Sequence, residues 1–273
     1  MKSLSGLDGS FLHLETEETP MHVGSVHLFD KPPGYRGDFC TDVRHLIARN
    51  MDASVVFRRQ LAQVPFNFSN PVWVEGEPAD LDYHIRRVVL PPPGSQAQLE
   101  QCVAALHEKP LDRSRPLWEV HVFDGLASGQ AAYYWKVHHA VLDGAAGIQL
   151  AKVLYDLAPI PEKGRKADAK KKLPAEHPGV AQLARTALSH DAAQVVKFLR
   201  HLPHAARMLA GALRGEGSLG LVAQLRKNLS FGPKTVLNVP ITAGRTFAGL
   251  SIPLADVKRM AAAEDAKAND VIL

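Results

Sequence analysis

The stretch from residue 117 to residue 157 constrains this chain most. From Leu117 to Phe123, Trp118, Val120 and Val122 alternate with Glu119, His121 and Phe123, which is the period of a β-strand. Asp124-Gly125 opens a turn, and Ala131 to Val137 (Ala-Ala-Tyr-Tyr-Trp-Lys-Val) predicts a second strand rich in aromatics. His138-His139-Ala-Val-Leu-Asp143-Gly144 follows at once, and Ile148, Ala151, Leu154 and Leu157 then recur at helical spacing up to Pro159. The prediction is an α/β unit with a His/Asp cluster at a strand end, in a loop that enters a helix.

The flanking segments extend that pattern. Val43, Leu46 and Ile47 predict a helix over Cys40 to Asn50, after the Lys-Pro-Pro-Gly turn signal between Leu28 and Gly37. Val72-Trp73-Val74 is strand-like, and Leu81 to Leu90 mixes strand propensity with Asp82, Tyr83 and His84. Pro91-Pro92-Pro93-Gly94 stops regular structure, and Gln96 to Leu106 predicts a short helix ended by Pro110. Residues 161–172 are polar and predict a mobile linker. Val180 to Leu213 is helical by spacing, with Pro203 expected to kink or split it. A last unit begins near Thr235, with a strand expected from Phe247 to Leu254, a helix from Asp256 to Ala263 and another element opening at Asn269-Asp270. No internal repeat is present.

Composition excludes several classes. Hydrophobic residues at 46% and charged ones at 22% suit a globular domain, and no apolar run reaches the roughly 18–20 residues of a membrane-spanning helix. The first nineteen residues lack the apolar centre of a signal peptide. Cys40 and Cys102 form no CxxC pair and read as reduced thiols, so the expected location is cytoplasmic. The net charge of +4 is uneven: residues 163–227 hold 13 Lys/Arg and 4 Asp/Glu, leaving −5 on the remainder. Such a segment suits an anionic surface or phosphates, or is a solvated linker.

His138, His139 and Asp143 carry the chemistry. A histidine of near-neutral pKa removes a proton from a hydroxyl as a general base. Asp143 can brace the loop, and Gly144 lets the chain turn tightly into the helix. Adjacent residues at a strand end point to opposite sides, so only one histidine faces a given cavity. A polar strand end without chemistry is the alternative. A metal centre would need further converging ligands, and neither HExxH nor a second cluster at ligand spacing occurs. GxSxG is absent: Ser10, Ser218 and Ser251 lack the flanking glycines.

HHxxxDG resembles the motif of coenzyme A-dependent acyltransferases with the chloramphenicol acetyltransferase-like fold, and of peptide-forming condensation domains. The surroundings narrow the likeness. Leu4-Ser5-Gly6-Leu7-Asp8, Phe11-Leu12-His13-Leu14-Glu15-Thr16 and Pro20-Met21-His22-Val23-Gly24 resemble the opening of bacterial wax ester synthase/diacylglycerol acyltransferases. Arg115-Pro116-Leu117-Trp118 matches the family's PLW motif, and Asn238-Val239-Pro240-Ile241 and Asn269-Asp270 resemble its later landmarks.

The resemblance implies an α/β fold, a mixed sheet flanked by helices, with only the beginning of a second domain present. It places an acyltransferase domain in residues 1–160, a basic linker and helical segment in 161–234, and a truncated C-terminal domain from 235. It implies acyl transfer from acyl-coenzyme A, as substrate and not cofactor, to a long-chain alcohol or diacylglycerol. His139 would be the base, His138 would shape the pocket, and Asp143 would anchor the loop toward an Arg. Gly144, Pro116, Leu117, Trp118, Asn269 and Asp270 would lie at the substrate. Pro116-Leu117-Trp118 either lines the acyl pocket or simply starts a buried strand. Asn269 either hydrogen-bonds the developing oxyanion or caps a helix. Implied partners are the two substrates, a membrane or lipid-droplet surface met peripherally through Arg185, Lys197, Arg200, Arg207 and Arg214, and a complementary C-terminal chain; no nucleic acid or metal is expected. The alternatives are condensation-type transfer and an inactive lipid-binding remnant.

Overall fold

A computed structural model describes residues 1–64, 69–142, 147, 150–151, 154–155, 175, 178–186, 188–189, 196, 200, 235–236 and 238–272. Its frame is a four-stranded mixed sheet in the order β2-β7-β6-β5, formed by β2 (His22–Phe29), β5 (Ile85–Val89), β6 (Trp118–Asp124) and β7 (Ala131–His138). β5 and β6 run parallel, whereas β6–β7 and β2–β7 are antiparallel. The parallel pair needs a crossover, which α4 (Gln96–Glu108) supplies. Ser95 starts that helix with a capping box: its side chain accepts from the Gln98 amide, and the Gln98 side chain returns to the Ser95 amide. A smaller antiparallel sheet, ordered β1-β4-β3, joins β1 (Lys2–Ser3), β3 (Arg59–Ala62) and β4 (Val72–Glu75).

The large sheet is covered on both faces. On one, Trp118, Val120, Val122, Tyr133, Trp135 and Val137 pack with α1 (Gly6–Leu14) and α2 (Phe39–Asn50). On the other, Phe123, Ala132 and Tyr134 pack with Leu99 and Val103 of α4. The alternation in β6 therefore does not separate core from solvent: Trp118 to Phe123 is buried at every position. Its polar members are buried because they find partners. Glu119 lies 3.0 Å from His121 and 3.7 Å from Lys136. Lys136 also donates to the carbonyls of Leu106 (3.0 Å) and Lys109 (2.7 Å), satisfying the C-terminal end of α4.

Elsewhere the sequence reading holds with adjustments. α2 starts one residue before the predicted helix, capped by Asp38, and α4 runs two residues past its predicted end. Residues 81–84 form a helical turn, α3 (Leu81–His84), because the Asp80 carboxylate accepts from the Asp82 and Tyr83 amides and holds that turn before β5 begins. Gly147, Leu150, Ala151 and Leu154 are helical, whereas Ile148 and Leu157 lie outside the described residues. The helix expected from Val180 is present over residues 180–186, where Leu183 is buried against Val64, Val72 and Val74. The basic stretch 161–172, Pro203, Lys197, Arg207 and Arg214 lie outside the described residues.

One expectation fails. Residues 247–253 form no strand. The backbone here is satisfied by α4 side chains in place of a ladder: Glu108 accepts from the Arg245 amide (2.9 Å) and Glu100 from the Gly249 amide (2.8 Å), while Gln96 donates to the Gly249 carbonyl (2.7 Å). Two helices follow, α5 (Leu254–Ala263) and α6 (Ala268–Ile272). Among the described residues no helix is long and apolar enough to cross a membrane.

Candidate active site

The two histidines stand where β7 runs out. His138 is the last ladder residue, opposite His22 of β2, and its amide donates to the Leu117 carbonyl (3.0 Å). The next amide, that of His139, donates to the Met21 carbonyl (2.8 Å). β7 is therefore gripped from both sides at the point where it turns. A 3₁₀ turn follows (His139–Val141), and the His138 side chain caps it: Nδ1 accepts from the Ala140 amide at 3.1 Å.

The rings part company as strand geometry requires. His138 is fully buried, whereas His139 is exposed. The His139 ring stacks on Phe11 of α1 at 4.1 Å between centroids and 29° between planes. Among the described residues its ring nitrogens make no hydrogen bond. Nε2 of His138 faces Glu15 Oε1 at 3.4 Å.

Glu15 is the residue sequence reasoning passed over, although it stands inside the opening motif. Its side chain is only 5% exposed. Oε1 accepts from the Met21 amide (3.0 Å), and Oε2 accepts from the Arg113 guanidinium at 2.8 and 3.2 Å. Arg113 also donates to the Leu12 carbonyl at 2.6 Å. Burial pushes the Glu15 carboxyl up, but His138, Arg113 and the Met21 amide together bring it down to about 2. The signal that could have exposed it was a carboxylate directly after an amphipathic turn, in a segment read only for its likeness.

His22 closes the other side. Its Nε2 contacts the His107 carbonyl (2.8 Å), its ring meets His107 edge-on at 4.6 Å, and burial, aided by the Lys136 charge, lowers its pKa to about 4. His107 in turn contacts the Tyr134 hydroxyl through Nδ1 (2.6 Å).

The remaining predicted residues are distributed differently. Pro116 is buried, and Leu117 and Trp118 present no surface at all. Trp118 stacks between His84 (4.3 Å) and Trp135 (5.7 Å) and donates from Nε1 to the Phe57 carbonyl (3.2 Å). In this geometry the PLW segment packs into the core, and its link to the histidines is the Leu117 carbonyl, which accepts from the His138 amide. Asp143 and Gly144 lie outside the described residues, and so does the partner of Asp143. Asn269 and Asp270 are exposed on α6 and make no bond to the histidine cluster. Asn269 is the second residue of α6 and not its N-cap, and Asp270, the third, accepts from the Lys267 amide at 2.8 Å. No group of three or more ligands able to hold a metal occurs among the described residues.

Known proteins place this geometry. A Mycobacterium tuberculosis protein named as a diacylglycerol O-acyltransferase is 34% identical over 271 residues, covering 99% of this chain and 58% of its own length. A second from the same organism, with the same activity in its name, is 31% identical over 269 residues, covering 97% and 56%. The solved wax ester synthase/diacylglycerol acyltransferase of Marinobacter aquaeolei superposes with a TM-score of 0.63 at 30% identity, over 98% of this chain and 57% of that one. The chain thus spans little more than half the length of the relatives it matches. Residues 4–272 match the family described as the wax ester synthase/diacylglycerol acyltransferase catalytic domain, and the chain belongs to that family.

Proposed function

We propose that this chain carries the general base of an O-acyltransferase that moves a fatty acyl group from acyl-coenzyme A to a long-chain alcohol or a diacylglycerol, giving wax ester or triacylglycerol. The observation that carries the reading is the exposed imidazole of His139, whose ring nitrogens make no hydrogen bond among the described residues, beside the fully buried His138, in a chain of this family. His139 takes the proton from the acceptor hydroxyl as its oxygen attacks the thioester carbonyl. When the tetrahedral adduct collapses, the C–S bond breaks and the imidazolium returns the proton to the departing thiolate. The reaction consumes acyl-coenzyme A as a substrate and calls for no metal and no cofactor.

The resemblance assigns Asp143 and Gly144 to the loop after the base, makes Asn269 the candidate donor to the developing oxyanion or the substrate, and sets Asp270 beside it at the substrate. Both substrates approach from a lipid surface met peripherally, and the rest of the binding site comes from a complementary C-terminal portion. The test is thiol release from palmitoyl-coenzyme A with hexadecanol or dioleoylglycerol as acceptor, with and without that portion. Replacing His139 by Ala should lower transfer by about 10²- to 10⁴-fold, the usual worth of a positioned base. Transfer that survives the substitution would remove His139 from the mechanism.

A further inference from the structure

We propose that Glu15 is a positioning residue for His139, acting by fixing which nitrogen of His138 carries the proton. The inference rests on His139 being the base, and its argument is geometric. Nδ1 of His138 accepts from the Ala140 amide, so that nitrogen offers a lone pair and carries no hydrogen. The proton of a neutral ring then sits on Nε2, which lies 3.4 Å from Glu15 Oε1 and has no hydrogen-bond partner among the described residues. A carboxylate only accepts, so Glu15 favours this tautomer and disfavours the other. With the proton moved to Nδ1, two donors would face each other across the Ala140 contact and the cap of the 3₁₀ turn would be lost. That turn begins with His139.

Glu15 reaches His139 by two further routes. Met21 gives its amide to Glu15 and its carbonyl to the His139 amide, so the carboxylate also fixes the strand from which the base hangs. Phe11, the ring on which His139 stacks, lies four residues before Glu15 on the same side of α1. Arg113 occupies the other carboxylate oxygen and leaves Oε1 for Met21 and His138. Three segments distant in sequence, residues 11–21, 113 and 138–139, therefore meet at one buried charge beside His138, the neighbour of His139. A merely structural ion pair would need Arg113 alone.

Glu15→Gln separates the two roles because it keeps the shape and changes one acceptor into a donor. With its oxygen toward Arg113, the glutamine amide nitrogen faces the Met21 amide and His138 Nε2, and the ring must give up its Nε2 proton to accommodate it. The experiment is long-range ¹H–¹⁵N correlation of the histidine rings in the 273-residue chain, followed by the transfer assay with the C-terminal portion present. The wild-type chain should show His138 protonated on Nε2 only. E15Q should shift His138 toward the Nδ1 form and lower kcat by about 10- to 100-fold, the cost of misplacing a catalytic group by an ångström or less. KM for acyl-coenzyme A should stay within about threefold, and E15D, which keeps the charge, should recover part of kcat.

A wild-type spectrum with the His138 proton on Nδ1, or on both nitrogens, overturns the proposal without any variant. So does an E15Q protein that transfers as fast as wild type. A wild-type enzyme with no transfer at all would instead sink the acyltransferase reading, and that result is visible before the variants are compared.

Discussion

Replacing Gly24 by Ala should destabilise the fold, against the usual direction for this substitution. Gly24 lies on the exposed edge strand β2, its φ is not positive, and it is itself solvent-exposed. At such a position Gly→Ala ordinarily stabilises by about 0.4–1 kcal/mol, because the unfolded chain loses freedom. Here the edge is not free. A Cβ on Gly24 would stand 2.5 Å from Tyr134 Cε2 and 2.8 Å from Cζ, with the hydroxyl oxygen also in overlap. Tyr134 is 1% exposed, packs with Phe123, Leu99 and Val103, and keeps its hydroxyl on His107. Its ring cannot withdraw without leaving that partner. Overpacking costs about 1–3 kcal/mol, and the lost hydrogen bond about 1 more. Set against the gain of about 0.4–1 kcal/mol through the unfolded chain, the expected net destabilisation is about 1–3.5 kcal/mol.

The assay is urea denaturation of four chains: wild type, Gly24→Ala, Tyr134→Leu and the double variant. Once the ring is gone, Gly24→Ala should cost less than about 0.5 kcal/mol, so the coupling energy should be about 2 kcal/mol or more. A wild-type background in which Gly24→Ala is neutral or stabilising would refute the reasoning. So would an equal penalty in the Tyr134→Leu background, since the clash would then not be with that ring.

Acid should weaken the fold in two stages. His22 is held neutral with a pKa of about 4 against an ordinary 6.5, so the unfolded chain gains its proton first and stability falls between pH 6.5 and 4. Glu15, at about 2 against 4.5, contributes stability that is complete above pH 4.5 and is lost as pH falls toward 2. Each is worth about 3 kcal/mol. Urea midpoints measured from pH 7.5 to 3 should show His22→Gln shrinking the upper stage and leaving the lower one; an unchanged upper stage would contradict the burial argument. Trp118→Ala should cost about 3–5 kcal/mol by cavity formation. A Trp118→Ala chain of full stability that fails only in transfer would overturn the packing account of the PLW segment.

The strands β6 and β7 were legible because their residues repeat at the strand period and turn signals bound them, and α2 and α4 because apolar spacing and capping residues agree. What periodicity could not show was that both faces of β6 would be covered. Glu119, His121 and Lys136 read as solvent-facing until their mutual pairing is seen, and that pairing depends on α4 lying across the sheet. The strand expected at 247–253 failed for a related reason. Its propensity was present, but Gly249 meets Glu100 and Gln96, 149 and 153 residues away in the chain, and nearby Arg245 meets Glu108, 137 residues away. The first thirty residues drew no element prediction, although they supply α1 and β2.

At the site itself the two histidines were evident and the opposite exposure of their rings followed from strand geometry, but the surroundings were hidden. Glu15, Met21 and Arg113 carry no periodic signal toward residue 138, because their meeting is a property of the sheet edge and of α1. If His139 is the base proposed above, that arrangement determines how it works. Among the described residues no carboxylate touches the His139 ring, and its one ring contact is the apolar face of Phe11. The nearest carboxylate, Glu15, instead lies 3.4 Å from Nε2 of the neighbouring His138. A base oriented by stacking and by its own backbone, with the nearby negative charge spent on a different imidazole, depends on placement more than on a charge relay. Its efficiency should therefore track the rigidity of the β7 terminus.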